Sequence, residues 1–298
     1  MEVAKAEDAA KHEGRRLNVS GVLRILGVSR NGYYSFKKKK PCDTKLKKEQ
    51  RMEHIREIHQ ESNDIYGAPK ITSILQEKGE VISEKTVGNY MREMGLKAWY
   101  IKPYIQTTIQ SNFSEKLKNI LDENFNPEEP NAVWCSDITY IWTYSGFVYL
   151  TSIMDLFSRK IIAWVLSDTL EAKHVIAAIE IAKRKRNVDK PKIMHADRGI
   201  QYTCDAYQKS TEGWTRSYSK KAYPLDNACI ESFHALIKRE WINRFKIIDY
   251  NHAYKLIFEY IETFYNTVRI HSHCEYKSPI NYENDHLTER EKALKMVG

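Results

Sequence analysis

The chain is poor in cysteine. It has five among 298 residues (Cys42, Cys135, Cys204, Cys229 and Cys274), and none stand in a CxxC pair. That pattern offers neither a disulfide framework nor a thiolate zinc signature, and it fits reduced, cytosolic thiols. No apolar run reaches 18 residues, so no membrane-spanning helix is expected. The opening MEVAKAEDAAKHEGRR is charged throughout and has no apolar centre, which excludes a secretory signal there. No repeat of solenoid period and no long low-complexity tract is present. Acid is in the minority, with 39 Asp and Glu against 47 Lys and Arg, a formal net charge of +8 and a pI near 9.0. Such a surplus favours a polyanionic partner, most often nucleic acid. It is gathered in runs at residues 37–40, 45–48 and 183–186.

The length allows two or three domains with one sizeable core. Residues 1–16 read as a solvated tail. In the lead-in, 17–40, Ser20 can cap a short helix holding Val22, Leu23 and Leu26, Gly27 ends it, and Ser29 can cap the next. Lysines 37–40 and Pro41 read as a linker. Residues 45–101 predict three helices. The first carries Met52, Ile55 and Ile58, the second starts at Pro69 and stops at Gly79, and the third is capped by Ser83 and buries Val87, Tyr90, Met91 and Met94. Helix, turn, helix is a DNA-binding pattern, and Glu84, Lys85, Asn89 and Arg92 face outward on the last helix. Residues 102–130 predict a linker with one helix over 115–121, closing in the acidic NPEEP.

From residue 131 to 285 the pattern turns to strands and helices. Strands are expected over 133–142, 147–154, 160–166, 192–195 and 214–218. Helices are expected over 171–186, 202–212, 226–245 and 249–267, and the end, 276–298, reads as irregular and charged. The result is a mixed α/β domain preceded by all-α units.

Three acids stand where acids are costly. Asp137 lies inside the apolar strand AVWCSDITY, Asp197 directly follows a strand in HADRG, and Glu231 opens a helix in DNACIESF. If they converge, they either rise in pKa or bind hard divalent cations, and oxygen donors favour magnesium or manganese over zinc. Two such ions can drive phosphoryl transfer. Lys238 is seven residues past Glu231, on the same helical face, where it could hold a phosphate. His195 beside Asp197 reads as packing.

These motifs resemble a known family. WCSDITYI, HADRGIQYT and DNACIESFHALIK are similar to the three catalytic blocks of insertion-sequence transposases with a retroviral-integrase-like (Asp-Asp-Glu) core. FYNTVRIHSHCEYKSP resembles that family's C-terminal signature, YGAPKITSILQEKGEVISEKTVGNYMREMGL its helix-turn-helix, and GVSRNGYY the start of its second-reading-frame product. The resemblance implies an RNase H-like core with a mixed five-stranded sheet and flanking helices. It implies Asp137, Asp197 and Glu231 as catalytic metal ligands for Mg2+, with Mn2+ as a substitute, and Lys238 as a DNA contact. It further implies cleavage and joining of element ends by a 3′-hydroxyl, on terminal-repeat and target DNA, by a homo-oligomer in the bacterial cytoplasm at the nucleoid, with no membrane partner.

Two departures stand out. Only 33 residues separate Asp197 from Glu231, a couple fewer than the family pattern, and the shortfall is placed in 208–215. The short lead-in before residue 17 suggests that an upstream DNA-binding partner protein helps recognise the terminal repeats. Two other functions stay open: a catalytically impaired, element-encoded DNA-binding repressor, and an RNase H-like nuclease that does not transpose.

Overall fold

The computed structural model describes residues 2–38, 43–99, 117–220 and 224–297. The chain divides into two compact units, Met1–Glu57 and Ile58–Gly298. The division falls inside a helix, not in the expected linker at 102–130.

In the first unit, helices α1 (Glu2–His12), α2 (Val19–Ile25) and α3 (Arg30–Lys38) close over Val19, Leu23 and Tyr33. The expected tail is therefore a helix. Its alanine-rich sequence favours one, and its Glu7 carboxylate accepts from the Tyr33 hydroxyl at 2.6 Å and the Lys37 ammonium at 2.7 Å. Asn18, not Ser20, caps α2, accepting the Gly21 N–H at 3.0 Å. Ser29 accepts the Gly32 N–H at 3.0 Å at the start of α3. The linker expected at 37–41 lies mostly outside the described residues. Helix α4 spans Asp43–Glu61.

The second unit continues with α5 (Ala68–Glu77) and α6 (Glu84–Glu93). Pro69 sits in the first turn of α5, where its missing N–H costs nothing. Ser83 caps α6 by accepting the Thr86 N–H. Ile71, Leu75, Val87 and Met91 are buried between the two helices, while Tyr90 and Met94 are half-buried.

The sheet follows. Strands β1 (Val133–Thr143), β2 (Gly146–Asp155) and β3 (Lys160–Ser167) form an antiparallel meander, turned at Gly146, whose φ of +116° suits glycine. Helix α7 (Ala172–Arg186) leads to β4 (Ile193–Ala196), and α8 (Ile200–Thr203) and α9 (Asp205–Ser210) lead to β5 (Arg216–Tyr218). Cys204 is extended between α8 and α9 and breaks the single helix expected over 202–212. The order is β3-β2-β1-β4-β5, with β4 and β5 parallel to β1. This is the expected mixed five-stranded sheet. One face buries Trp134, Ile153, Ala163, Met194 and Tyr218 against α7, α8 and α9. The other is covered by α10 (Ala228–Glu240) and α11 (Tyr250–Phe258).

Helix α10 stops at Glu240, short of the expected 245, and a 3-10 turn, Ile242–Arg244, follows. A 3-10 turn, Pro224–Asn227, precedes it, and the Asn227 side chain makes no cap bond. α11 continues as a π-helical turn, Glu259–Tyr265. The end is not irregular: α12 spans Pro279–Val297. Its Glu283 is 5% exposed and accepts from Arg186 of α7, which also pairs with buried Asp155. One of the expected basic run is thus structural. Residues 117–121 are not helical. They lie along β5, where Ser217 Oγ accepts the Ile120 and Leu121 N–H groups, each at 2.9 Å. Residues 102–116 of the linker fall outside the described residues. Among the described residues no helix is long and apolar enough to cross a membrane.

Candidate active site

Strand register brings the first two acids together. The last parallel pair between β1 and β4 is Ser136 with Ala196. Asp137 and Asp197 come next on neighbouring strands, at one level and on one face. Neighbouring strands run about 4.8 Å apart. Trp134 and Met194 point to the α7 face, so by alternation Asp137 and Asp197 point to the α10 face. The pair lies at the carboxyl end of β4 and part-way along β1, the strand that pairs parallel with β4 and antiparallel with β2.

Helix α10 packs on β1 and β2 and delivers the third acid in its first turn. Ile230, Phe233 and Ile237 are buried, which turns Glu231 to the rim. Burial pushes Glu231 up to about 7, with Asp137 and then Asp197 adding repulsion. Its side chain is exposed at the surface, so solvent tempers the shift. Asp197 is pushed up to about 6, first by burial and then by Asp137, against the Gly199 N–H it accepts at 2.8 Å. The three carboxylates therefore share one field despite the short spacing. Between Asp197 and Glu231 the chain runs through α8, the six-residue α9 and β5, which begins at Arg216.

His234 was not singled out from the sequence. It lies one turn after Glu231, is 5% exposed, and bridges two strands. Its Nδ1 is 3.1 Å from Asp137 Oδ2 and its Nε2 is 3.2 Å from Ser152 Oγ. Ser152 is the β2 residue opposite Asp137. The available signal was the i, i+3 spacing of Glu231 and His234, which puts both on one helical face. Tyr202 was also missed. It is fully buried, with its hydroxyl 2.9 Å from Ser136 Oγ, and burial followed by Asp137 and Asp197 raises its pKa.

Lys238 is half-buried, two turns from Glu231. Burial lowers its pKa, while Asp137 pulls the other way. It therefore lies within the field of the acids. His195 is fully buried, 2.9 Å from Ser217 Oγ, and burial holds it neutral, near 4. It is a packing residue, as read. Lys85, Asn89 and Arg92 are exposed at i, i+4 and i+7 of α6, more than 40 residues before the first of the acids in sequence. Arg92 bonds to Asn89 and to the Gly88 carbonyl.

The donor set is three carboxylates, of which Asp197 and Glu231 are raised first by burial and then by their acidic neighbours, and such a set suits a hard divalent cation. As the side chains stand, Asp137 is turned to His234 and Asp197 to Gly199. Among the described residues, no three His, Cys, Asp or Glu side chains are close enough to hold one ion. Ligation at this site requires those carboxylates to rotate inward.

Integrase core domain models match residues 127–221 and 199–279, and a helix-turn-helix-like domain model matches 45–104. The transposase for insertion sequence element IS904 of Lactococcus lactis is 36% identical, over 82% of this chain and 98% of its own length. The transposase InsF for insertion sequence IS3A of Escherichia coli is 32% identical, over 93% and 97%. A solved HTLV-2 integrase catalytic core domain in complex with magnesium overlaps at a TM-score of 0.41 and 16% identity, covering 52% of this chain and 98% of that one.

Proposed function

Since this chain belongs to the insertion-sequence transposases with an integrase core, DNA-binding enzymes that transfer polynucleotide strands, we propose that Asp137, Asp197 and Glu231 are its catalytic metal ligands. The observation that carries this is the register of β1 and β4, which sets Asp137 beside Asp197 under the first turn of α10. The ion is Mg2+, with Mn2+ as a substitute. When bound, it supplies the Lewis-acid charge for in-line attack of a 3′-hydroxyl on a phosphodiester.

The chain's own residues prepare that step. Asp197 and Glu231 must lose their protons before they can ligate, and their raised pKa values mean that they do so near neutrality. His234 bonds both Asp137 Oδ2 and Ser152 Oγ, and so orients the Asp137 carboxylate at rest, before it turns inward to ligate. Lys238 takes a phosphate of the element's end beside the acids. The exposed face of α6, with Lys85, Asn89 and Arg92, takes more distant DNA. We further assign residues 45–101 as the DNA-binding domain and 131–285 as the catalytic core. Transposition joins two ends, so the active form is a homo-oligomer on paired ends, acting at the nucleoid, with an upstream DNA-binding protein as helper.

The test is strand joining on an oligonucleotide that carries the element's terminal repeat, with Mg2+ or Mn2+. Wild type joins; Asp137→Asn, Asp197→Asn and Glu231→Gln each lose about a thousandfold or more, the scale of several kcal/mol of transition-state stabilisation. A variant that still joins at the wild-type rate removes its residue from the site. End binding by wild type with no joining favours the repressor reading.

A further inference from the structure

The block 264–279 has no place in the site described above, yet it contains a buried ion pair. Arg269 and Glu240 are each 5% exposed. Arg269 Nε donates to Glu240 Oε2 at 2.7 Å and Nη2 donates to Oε1 at 2.6 Å. The Tyr260 hydroxyl donates to the same Oε2 at 2.6 Å. Burial pushes the Glu240 carboxyl up, but Arg269 outweighs it and holds the group ionised. Such a two-pronged pair fixes both position and angle. Glu240 is the last residue of α10, the helix that carries Glu231, His234 and Lys238.

The same loop seats the entry to α5. The Tyr66 hydroxyl accepts the Ile270 N–H at 3.1 Å and reaches the Val268 carbonyl at 3.4 Å. The Tyr66 ring lies 6.4 Å from Phe264, and the Lys70 ammonium sits 4.8 Å above it. Burial and the nearby Arg269 push Lys70 down to about 7, with Glu240 opposing. Just past α10, Arg244 Nη1 donates to the Asn63 carbonyl at 2.7 Å, and its guanidinium stacks 4.8 Å from the Trp99 ring. The helix pair α5–α6 and the end of α10 are thus keyed to one loop.

We propose that Arg269 and Tyr66 are positioning residues for strand joining: they fix the α5–α6 pair and α10 in one register, so that DNA held on α6 presents its terminal phosphates to Lys238 and Glu231. This rests on the proposed function above. The 264–279 block then serves as the seam between DNA recognition and the acids. Neither residue touches substrate; each acts through the elements it holds.

The experiment is hydroxyl-radical footprinting of the full chain on an element-end duplex, with melting temperature measured alongside. Tyr66→Phe removes the hydroxyl and keeps the ring. It is expected to protect the inner repeat with affinity within about twofold of wild type, while protection of the terminal phosphates falls about tenfold, the scale of one or two lost hydrogen bonds. Arg269→Lys keeps the charge without the fork, and the same split is expected, with no rescue by the retained charge. Identical footprints for wild type and Tyr66→Phe overturn the proposal. Parallel loss at both sites with a lowered melting temperature also overturns it, since that marks a purely structural role. Glu231→Gln separates the two readings: joining is lost while its inner-repeat protection should equal that of wild type. Joining that survives in Glu231→Gln refutes the proposed function and leaves the footprint to judge the seam.

Discussion

Replacing Asp197 by asparagine should stabilise the protein at about pH 8 in EDTA while abolishing strand joining. Its folded pKa is about 6 against an ordinary 3.8, raised first by burial and then by Asp137. A carboxyl raised from 3.8 to about 6 corresponds to roughly 3 kcal/mol. The sign follows from linkage. An acid raised on folding favours the folded state fully below its unfolded pKa, and that contribution is lost as pH rises through the folded pKa. Ionised Asp197 is therefore a cost at pH 8 and not at pH 4. Asparagine removes the charge, and its Oδ1 can still accept the Gly199 N–H now bonded at 2.8 Å. Some relaxation around the ionised carboxylate reduces the gain, leaving about 1–3 kcal/mol, or roughly 2–10 °C in melting temperature for a chain of this size. The assay is thermal unfolding of wild type and Asp197→Asn at both pH values. The gap should open between pH 4 and pH 8. A variant that melts below wild type at pH 8, or a gap equal at both pH values, refutes the reasoning.

Three more outcomes follow from the same geometry. His234→Phe fills the space but drops the bridge from Asp137 to Ser152; joining should fall about tenfold to a hundredfold while end-DNA affinity stays within about twofold, and unchanged joining would show that Asp137 needs no support. Lys238→Ala should weaken joining more than binding of the inner repeat, and restoring activity in low salt would mark its part as charge; equal joining at every salt concentration would remove it from the DNA path. Arg92→Ala should weaken binding across sequences and reduce the salt slope by about 1; an unchanged slope would place DNA elsewhere than on α6.

The sheet was legible because its strands carry β-branched and aromatic runs, and the bounds of β1, β2, β3 and β4 differ from the pattern by a residue or two. The acids were legible because each stood in a costly place, Asp137 above all, inside an apolar strand. The terminal helices were missed for a different reason. In α12 the apolar positions are sparse, and the start is fixed by contacts that no periodicity shows, among them Glu283 with Arg186. α1 has helix-forming alanines, but its anchor is Glu7 reaching Tyr33 across 26 positions. The end of α10 likewise coincides with a long-range contact, Glu240 with Arg269. His234 and the Glu240–Arg269 pair were beyond reach because their partners are 97 and 29 positions away. Spacing along one helix shows which residues share a face but not what that face meets.

Asp137, Asp197 and Glu231 are proposed to form one divalent-metal site. The most direct measurement is Mn2+ uptake by the DNA-free protein at about pH 8, followed by electron paramagnetic resonance of the free ion. Wild type should bind Mn2+, Mg2+ should displace it, and binding should weaken as pH falls through the range from 7 to 6 in which Glu231 and Asp197 take up protons. Each of Asp137→Asn, Asp197→Asn and Glu231→Gln should weaken uptake about tenfold or more. Uptake that is unchanged in all three variants would contradict the account.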